Sequence, residues 1–267
     1  MDSIRSIAPA ERRTLAPLFT DHRHLRPDVD AVLQGYCGTA IANAGSAFQV
    51  AQLSLSGLTF FGGDPTHPVA RHFVEQVAGE QIILVASEVW RALVYHVHGL
   101  RIIPQPRVAF SAKGLELAHL HQLMGRIPAG YQITRVDLEL AQRMGREVSA
   151  GLLLPEVWGA PADFVARGIG FCALADERMV CGAVSAARCD TAIEIQINTL
   201  PSCRRLGLAT VVGATLVAYC LEHGLEPDWD TDTDNLPSQR LAQRLGYVLE
   251  SHYEWLALPE EPRVGSQ

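Results

Sequence analysis

Glu194-Ile195-Gln196-Ile197-Asn198-Thr199-Leu200-Pro201-Ser202-Cys203-Arg204-Arg205-Leu206-Gly207-Leu208-Ala209-Thr210 joins an alternating strand to a basic, glycine-containing turn and then to an apolar helix. Period-two alternation puts Ile193, Ile195 and Ile197 on one face of the strand and Glu194, Gln196 and Asn198 on the other. The Arg204-x-x-Gly207-x-Ala209 spacing sets fixed positive charge beside a residue with no side chain. It does so where a helix start offers free N–H groups and the positive end of its dipole. That combination suits a phosphate. Taken alone the pattern also fits an ordinary helix start with exposed arginines, and its weight comes from the strand and helix around it.

Upstream, Gly168–Ala175, Met179–Arg188 and Thr191–Thr199 read as three strands, with Asp176-Glu177 and Cys189-Asp190 as tight turns, so an antiparallel meander is expected. Before it come a strand at Tyr131–Thr134, a helix at Val136–Arg146 and a helical turn or two at residues 161–167. Downstream follow a helix at Gly207–His223, a strand at Glu226–Asp230, a helix at Asn235–Leu245 and a strand at Tyr247–Leu256. In the first half, residues 1–47 look helical and then loop-like. Phe48–Leu55 and Leu58–Phe61 are strands around Gly57, and Pro65 is expected in the first turn of a helix reaching Val77. Gln81–Val85 is a short strand, Ser87 is a good N-cap for a helix to Val97, Arg107–Phe110 is a strand, and a helix spans Gly114–Met124.

The fold class that follows is α/β (α+β), a mixed, mostly antiparallel sheet flanked by helices. The connector Arg126–Tyr131 divides an N-terminal α/β domain, 1–128, from a second domain, 129–258, with a loose tail at 259–267. No internal repeat is visible.

Bulk properties narrow the function classes. At 267 residues and 48% hydrophobic, the chain can bury the cores of two domains. A net charge of −7 argues against nucleic acid as the main partner and is compatible with a cationic substrate. No stretch approaches the ~20 apolar residues of a membrane span. Met1–Ser6 lacks the pattern of a secretory signal, so a cytoplasmic location is expected. Six cysteines form no C-x-x-C pair and read as reduced core residues. His22-x-His24, His96-x-His98 and His119-x-His121 lack metal-ligand context, and Asp230-Thr-Asp-Thr-Asp234 lacks the spacing of a calcium loop, so no metal is expected. There is no G-x-S-x-G and no P-loop.

With strand, turn and helix in place, the chain resembles the GCN5-related N-acetyltransferases (GNAT superfamily). Glu194–Thr199 matches the strand, Arg204–Ala209 the turn, and Asn235–Ser238 through Leu245-Gly246-Tyr247 a later motif. The likeness is greatest to the zwittermicin A resistance-type branch. Its E-I-x-I-x-T, Y/C-R-R-x-G-L-A-T, P-x-W-D and L-G-Y patterns read here as Glu194–Thr199, Cys203–Thr210, Pro227–Asp230 and Leu245–Tyr247. Weaker matches at Val32–Tyr36, Gly63–Pro65, Trp90, Arg107–Phe110 and Asp163–Gly168 extend it over nearly the whole chain.

The resemblance implies acetyl-CoA as co-substrate and an N-acetyltransferase acting on a small-molecule primary amine. It places the acyltransferase fold in the C-terminal half, and an N-terminal half that is a degenerate copy on the acceptor side. It implies that backbone N–H groups of Arg205, Leu206, Gly207, Leu208 and Ala209, with Arg204 and Thr210, hold the pyrophosphate, the side chains of Leu206 and Leu208 packing. Ile197, Asn198, Thr199 and Leu200 then lie along the pantetheine arm, and Asn235 and Ser238 contact the cofactor, Asn235 having a helix cap as its other role. Glu194 is the candidate base, or else an anchor for a cationic acceptor. The family often places a tyrosine where Ala242 stands, to protonate the leaving thiolate. Tyr247, Tyr253 and Ser238 are the substitutes in range, unless the thiolate leaves unaided. The alternative function is a non-catalytic acyl-CoA- or small-ligand-binding protein on this fold. No nucleic acid or membrane partner is expected, and a homodimer is one available state.

Overall fold

A computed structural model of the chain describes residues 4–45, 47–146 and 156–260. The expected tail falls, after Glu260, outside them. The chain divides into two compact units, Met1–Arg107 with His252–Gln267 and Val108–Ser251. The connector 126–131 and the helix before it belong to the second unit.

The N-terminal unit is built on strands β1 (Ile4–Ser6), β2 (Thr39–Asn43), β3 (Val50–Leu55), β4 (Leu58–Gly63) and β5 (Gln81–Val85), with the later part of β12 (Val248–Leu258), in the order β1-β2-β3-β4-β5-β12. All neighbours are antiparallel except β4 and β5, which run parallel through Leu58↔Ile82 to Phe61↔Val85. Helices α1 (Arg26–Leu33), α2 (Pro68–Gln76) and α3 (Glu88–His98) accompany this sheet. Ser87 caps α3 as expected, its Oγ accepting the Trp90 N–H at 3.3 Å. The Trp90 ring stacks on Phe61 with centroids 5.0 Å apart and donates to the Gly63 carbonyl at 3.0 Å.

Two expectations change here. β1, β2 and a 3-10 helix at Pro9–Phe19 occupy the segment read as helix then loop; β2 is recognisable only by its pairing with β3. The helix expected from Pro65 begins at Pro68. Asp64 Oδ1 accepts both the N–H and the Oγ1 hydrogen of Thr66, at 2.8 and 2.7 Å, which holds the chain in a turn for three more residues.

The C-terminal unit contains the rest of β6 (Ile103–Ser111) and strands β7 (Gln132–Arg135), β8 (Gly170–Ala175), β9 (Arg178–Arg188), β10 (Ala192–Thr199) and β11 (Glu226–Asp232), ordered β6-β11-β10-β9-β8-β7. β8 to β10 form the expected antiparallel meander, and β7 pairs antiparallel with β8. Asp176 and Glu177, at φ 45° and 62°, make its first turn with both central residues left-handed, the geometry that matches strand twist. Helices α4 (Leu117–Met124), α5 (Leu138–Arg146), α6 (Pro161–Arg167), α7 (Leu208–Glu222) and α8 (Leu236–Leu245) flank the sheet. The helix expected from Gly114 starts at Leu117, after a 3-10 turn at Ala112–Gly114.

Helix α7 is apolar around its circumference and is buried accordingly. Leu208, Val212, Leu216 and Cys220 join one core cluster, and Ala214, Val217 and Ala218 another with Trp229, Ala242, Leu245 and Tyr247. Gly213 allows close approach: a Cβ there would lie 3.0 Å from Ile197 Cδ1 on β10. The start of α7 is thereby fixed against the end of β10.

The two units repeat one order of elements: antiparallel strands, a helix (α2 or α7), a parallel strand (β5 or β11), then a second helix (α3 or α8). The strand beside β5 is β12 and the strand beside β11 is β6.

Candidate active site

The parallel pairing of β10 with β11 covers Ala192↔Glu226, Ile193↔Pro227 and Glu194↔Asp228. It ends there, although β10 continues to Thr199 and β11 to Asp232. Past that rung the strands part, and a cavity of about 690 Å³ opens between them. Ile195, Ile197, Asn198 and Thr199 line it from β10, and Trp229 and Asp230 from β11. The following turn contributes Cys203, Arg204, Arg205 and Gly207, and α7 contributes Leu208, Ala209 and Thr210. Asn235, Pro237, Ser238, Arg240, Leu241 and Arg244 complete the wall from α8 and its cap.

The turn sets two arginines beside a glycine at the start of α7. Arg205 and Gly207 both have positive φ, 64° and 87°. For an arginine that conformation is uncommon and costs energy. Gly207 is the cap residue of α7, and no side chain caps the helix. The first α7 N–H groups bonded locally are those of Thr210 and Val211, both to the Gly207 carbonyl. Among the described residues, the N–H groups of Arg205, Leu206, Gly207, Leu208 and Ala209 have no backbone acceptor. A Cβ on Gly207 would meet no atom within 4 Å, so open space adjoins the turn. Arg204 is steered by its Nε–H, which donates to the Thr199 carbonyl at 3.2 Å.

The matching junction of the N-terminal unit lacks these properties. His67 caps α2 by accepting the Val69 N–H, Pro68 has no N–H, and Asp64 puts a negative charge in the turn. The β4–β5 pairing also continues to Val85, the last residue of β5.

Of the residues expected at the site, Ile197, Asn198, Thr199, Arg204, Arg205, Gly207, Leu208, Ala209, Thr210, Asn235 and Ser238 line the cavity. Leu200 and Glu194 are buried and Leu206 is exposed; none of the three is on the wall. Asn235 caps α8, Oδ1 accepting the Ser238 N–H at 3.3 Å, while Ser238 Oγ accepts from Trp229 Nε1 at 3.2 Å. Tyr247 is unsuited to donate a proton. It is buried, its hydroxyl donates to the Pro227 carbonyl at 3.0 Å, and burial with nearby Asp228, Glu194 and Glu226 pushes its pKa well up. Tyr253 belongs to the N-terminal unit, where it stacks on His24. Ala242 is fully buried.

Glu194 is buried, 7% exposed, on the last paired rung before the strands part. Opposite it stands Asp228, which sequence reading passed over. Parallel register places the two side chains on one face of the sheet. Burial, then Asp230, Glu226 and Glu250, push the Asp228 carboxyl up from 3.8 to about 7, against a hydrogen bond from the Trp229 backbone. Alternation along Glu226-Pro-Asp-Trp-Asp230 could have put Asp228 on a polar face, but its neighbour depends on the β10–β11 register. Arg240 and Arg244 were likewise missed, because nothing local says which side of α8 faces the cavity.

All six cysteines are free. Burial raises the Cys172 and Cys220 thiols to about 12 and Cys181 to about 11, so these three are inert at neutral pH. Among the described residues no group of three or more His, Cys, Asp or Glu side chains is arranged for a metal ion. Among them, too, no helix is long and apolar enough to cross a membrane.

The family model described as GNAT acetyltransferase matches residues 16–256. A protein of Bacillus subtilis (strain 168), called uncharacterized N-acetyltransferase YdfB, is 28% identical over 205 residues, covering 74% of this chain and 76% of its own. A GCN5-related N-acetyltransferase-like protein of Streptococcus suis superposes with TM-score 0.76 at 27% identity, over 94% of this chain and 99% of that one. A tandem GNAT protein of the clavulanic acid biosynthesis pathway shares the fold at TM-score 0.61 and 12% identity, over 96% of each chain.

Proposed function

The chain belongs to the GNAT acetyltransferase family, and from that premise we propose that it moves an acetyl group from acetyl-CoA to the primary amine of a small molecule by direct attack. Acetyl transfer is the activity of the family; the acceptor, the residue roles and the route are the proposal. The observation that carries it is the fork between β10 and β11 opening onto a turn with five unused backbone N–H groups.

These groups fit the cofactor. The N–H groups of Arg205 to Ala209 and the Arg204 and Arg205 guanidiniums hold the pyrophosphate. Ile197, Asn198 and Thr199 lie along the pantetheine arm, and the backbone freed where the strands part is available to the thioester carbonyl. Bound acetyl-CoA supplies an activated acyl group that a neutral amine can attack without an enzyme-bound intermediate. Glu194 takes the ammonium proton, with the Asp228 carboxyl beside it on the same face. The departing thiolate needs no tyrosine, since a thiol of pKa about 8.5 leaves readily near neutral pH.

A likeness to the zwittermicin A resistance branch, carried by Glu194–Thr199 and Pro227–Asp230, makes an amino-bearing antibiotic one acceptor class, beside amino acids and polyamines. The N-terminal unit, with its capped helix start and unbroken β4–β5 pairing, is proposed to be a degenerate copy that binds no second cofactor.

Thermal unfolding with acetyl-CoA, CoA and ATP tests the cofactor. Ligand at ~100 times its Kd stabilises the bound unit by about 2.7 kcal/mol, a shift of several degrees. A shift with acetyl-CoA and CoA but not ATP is expected, and no shift with any of them ends the proposal. Glu194→Gln is then expected to reduce turnover most at low pH, where the amine most needs deprotonation. A wild-type pH profile would remove Glu194 as the base.

A further inference from the structure

The cavity wall carries four guanidiniums, Arg204, Arg205, Arg240 and Arg244, against one carboxylate, Asp230. The chain as a whole has a net charge of −7, so this concentration of positive charge runs against its average. Among the described residues, none of the four makes an ion pair. Like charges crowded around one cavity repel, and an anionic ligand relieves the repulsion.

The turn arginines and the α7 start account for one anionic group. Arg240 and Arg244 stand apart from it, on α8. They are four residues apart on one helix face, about 6 Å along the axis, and both face the cavity with Leu241. Two arginines at that spacing on one helix face suit a tetrahedral phosphomonoester, which accepts bidentate hydrogen bonds and carries close to two negative charges at neutral pH. CoA has such a group in its 3′-phosphate, chemically distinct from the pyrophosphate diester.

Resting on the cofactor reading above, we propose that Arg240 and Arg244 bind the 3′-phosphate of the CoA nucleotide and make the site selective for CoA over its 3′-dephosphorylated form. The pyrophosphate site at Arg205–Ala209 serves both molecules equally. Discrimination then lies in α8 alone.

The test is titration calorimetry of CoA and 3′-dephospho-CoA against the full chain, the Arg240→Gln and Arg244→Gln variants, and the double variant. Wild type is expected to bind CoA more tightly, by about tenfold or more, as charge-assisted contacts imply. The double variant is expected to lose that preference and to keep wild-type affinity for dephospho-CoA, which also shows that it is folded. Equal binding of both ligands by wild type overturns the assignment while leaving the cofactor reading intact. So does a preference that survives in the double variant, or a parallel loss of affinity for dephospho-CoA. Binding of neither ligand by wild type overturns both readings.

Discussion

Asp228→Asn should make the stability of this protein less dependent on pH, in a direction the structure fixes. Unfolded, the Asp228 carboxyl titrates near its ordinary 3.8; folded, burial and the carboxylates of Asp230, Glu226 and Glu250 raise it to about 7. Glu194 faces the same side from β10, and Tyr247 is packed nearby. Between these two pKa values the folded state holds a proton that the unfolded state has released, so stability falls as pH rises. The contribution is fully present below pH 4 and lost by the time pH passes about 7. Integrated between pH 5 and 8, this loss is about 3 kcal/mol. An asparagine has no proton to lose and is spared it. Urea unfolding of wild type and variant at pH 5, 6, 7 and 8 measures the difference directly. The variant's advantage over wild type is expected to grow by about 3 kcal/mol across the series. A difference that is flat with pH would show that Asp228 is not the titrating group. One that shrinks as pH rises would reverse the sign of the argument.

Two further substitutions probe the cavity. Gly207→Val places a branched side chain at φ 87°, for a stability loss on the order of 1–2 kcal/mol, and adds bulk where no atom lies within 4 Å. It is expected to raise the KM for acetyl-CoA with little change in kcat, and an unchanged KM would take the turn out of the cofactor site. Trp229→Phe removes the donor to Ser238 Oγ and should reduce stability by about 1 kcal/mol in urea unfolding. A loss near zero would mean that this bond contributes nothing to holding α8 on β11.

Local chemistry carried much of the reading. Ser87 at a helix start, two turn residues at Asp176-Glu177 and the strand runs of β8 to β10 each depend on neighbours a few residues away. All three stand as the sequence predicts. The turn at Arg204–Ala209 was legible for the same reason, since its glycine, its arginines and the helix that follows form one continuous segment. Local rules also account for the misplaced start of α2: a proline after a glycine pair signals a helix, but the Asp64 side chain holds the chain in a turn first. β2 carries too weak a pattern to stand alone and exists through its pairing with β3.

By itself, then, the sequence determined most element types, the antiparallel meander, the basic glycine-containing turn and the resemblance that names the family, because each is encoded within a short run of residues. Tertiary structure decided what distant segments do to one another. Pairing of β10 with β11 stops at Glu194↔Asp228, which opens the cavity and sets two carboxylates side by side from residues 34 positions apart. It placed β12 beside β5 and β6 beside β11, so that the N-terminal unit takes its last strand from the end of the chain and both units show a repeat of topology that the sequence hides. It turned Arg240 and Arg244 toward the cavity. The physical reason is common to all three: register, strand exchange and helix facing are set by packing between residues far apart in the chain, and periodicity gives a face without saying what lies against it.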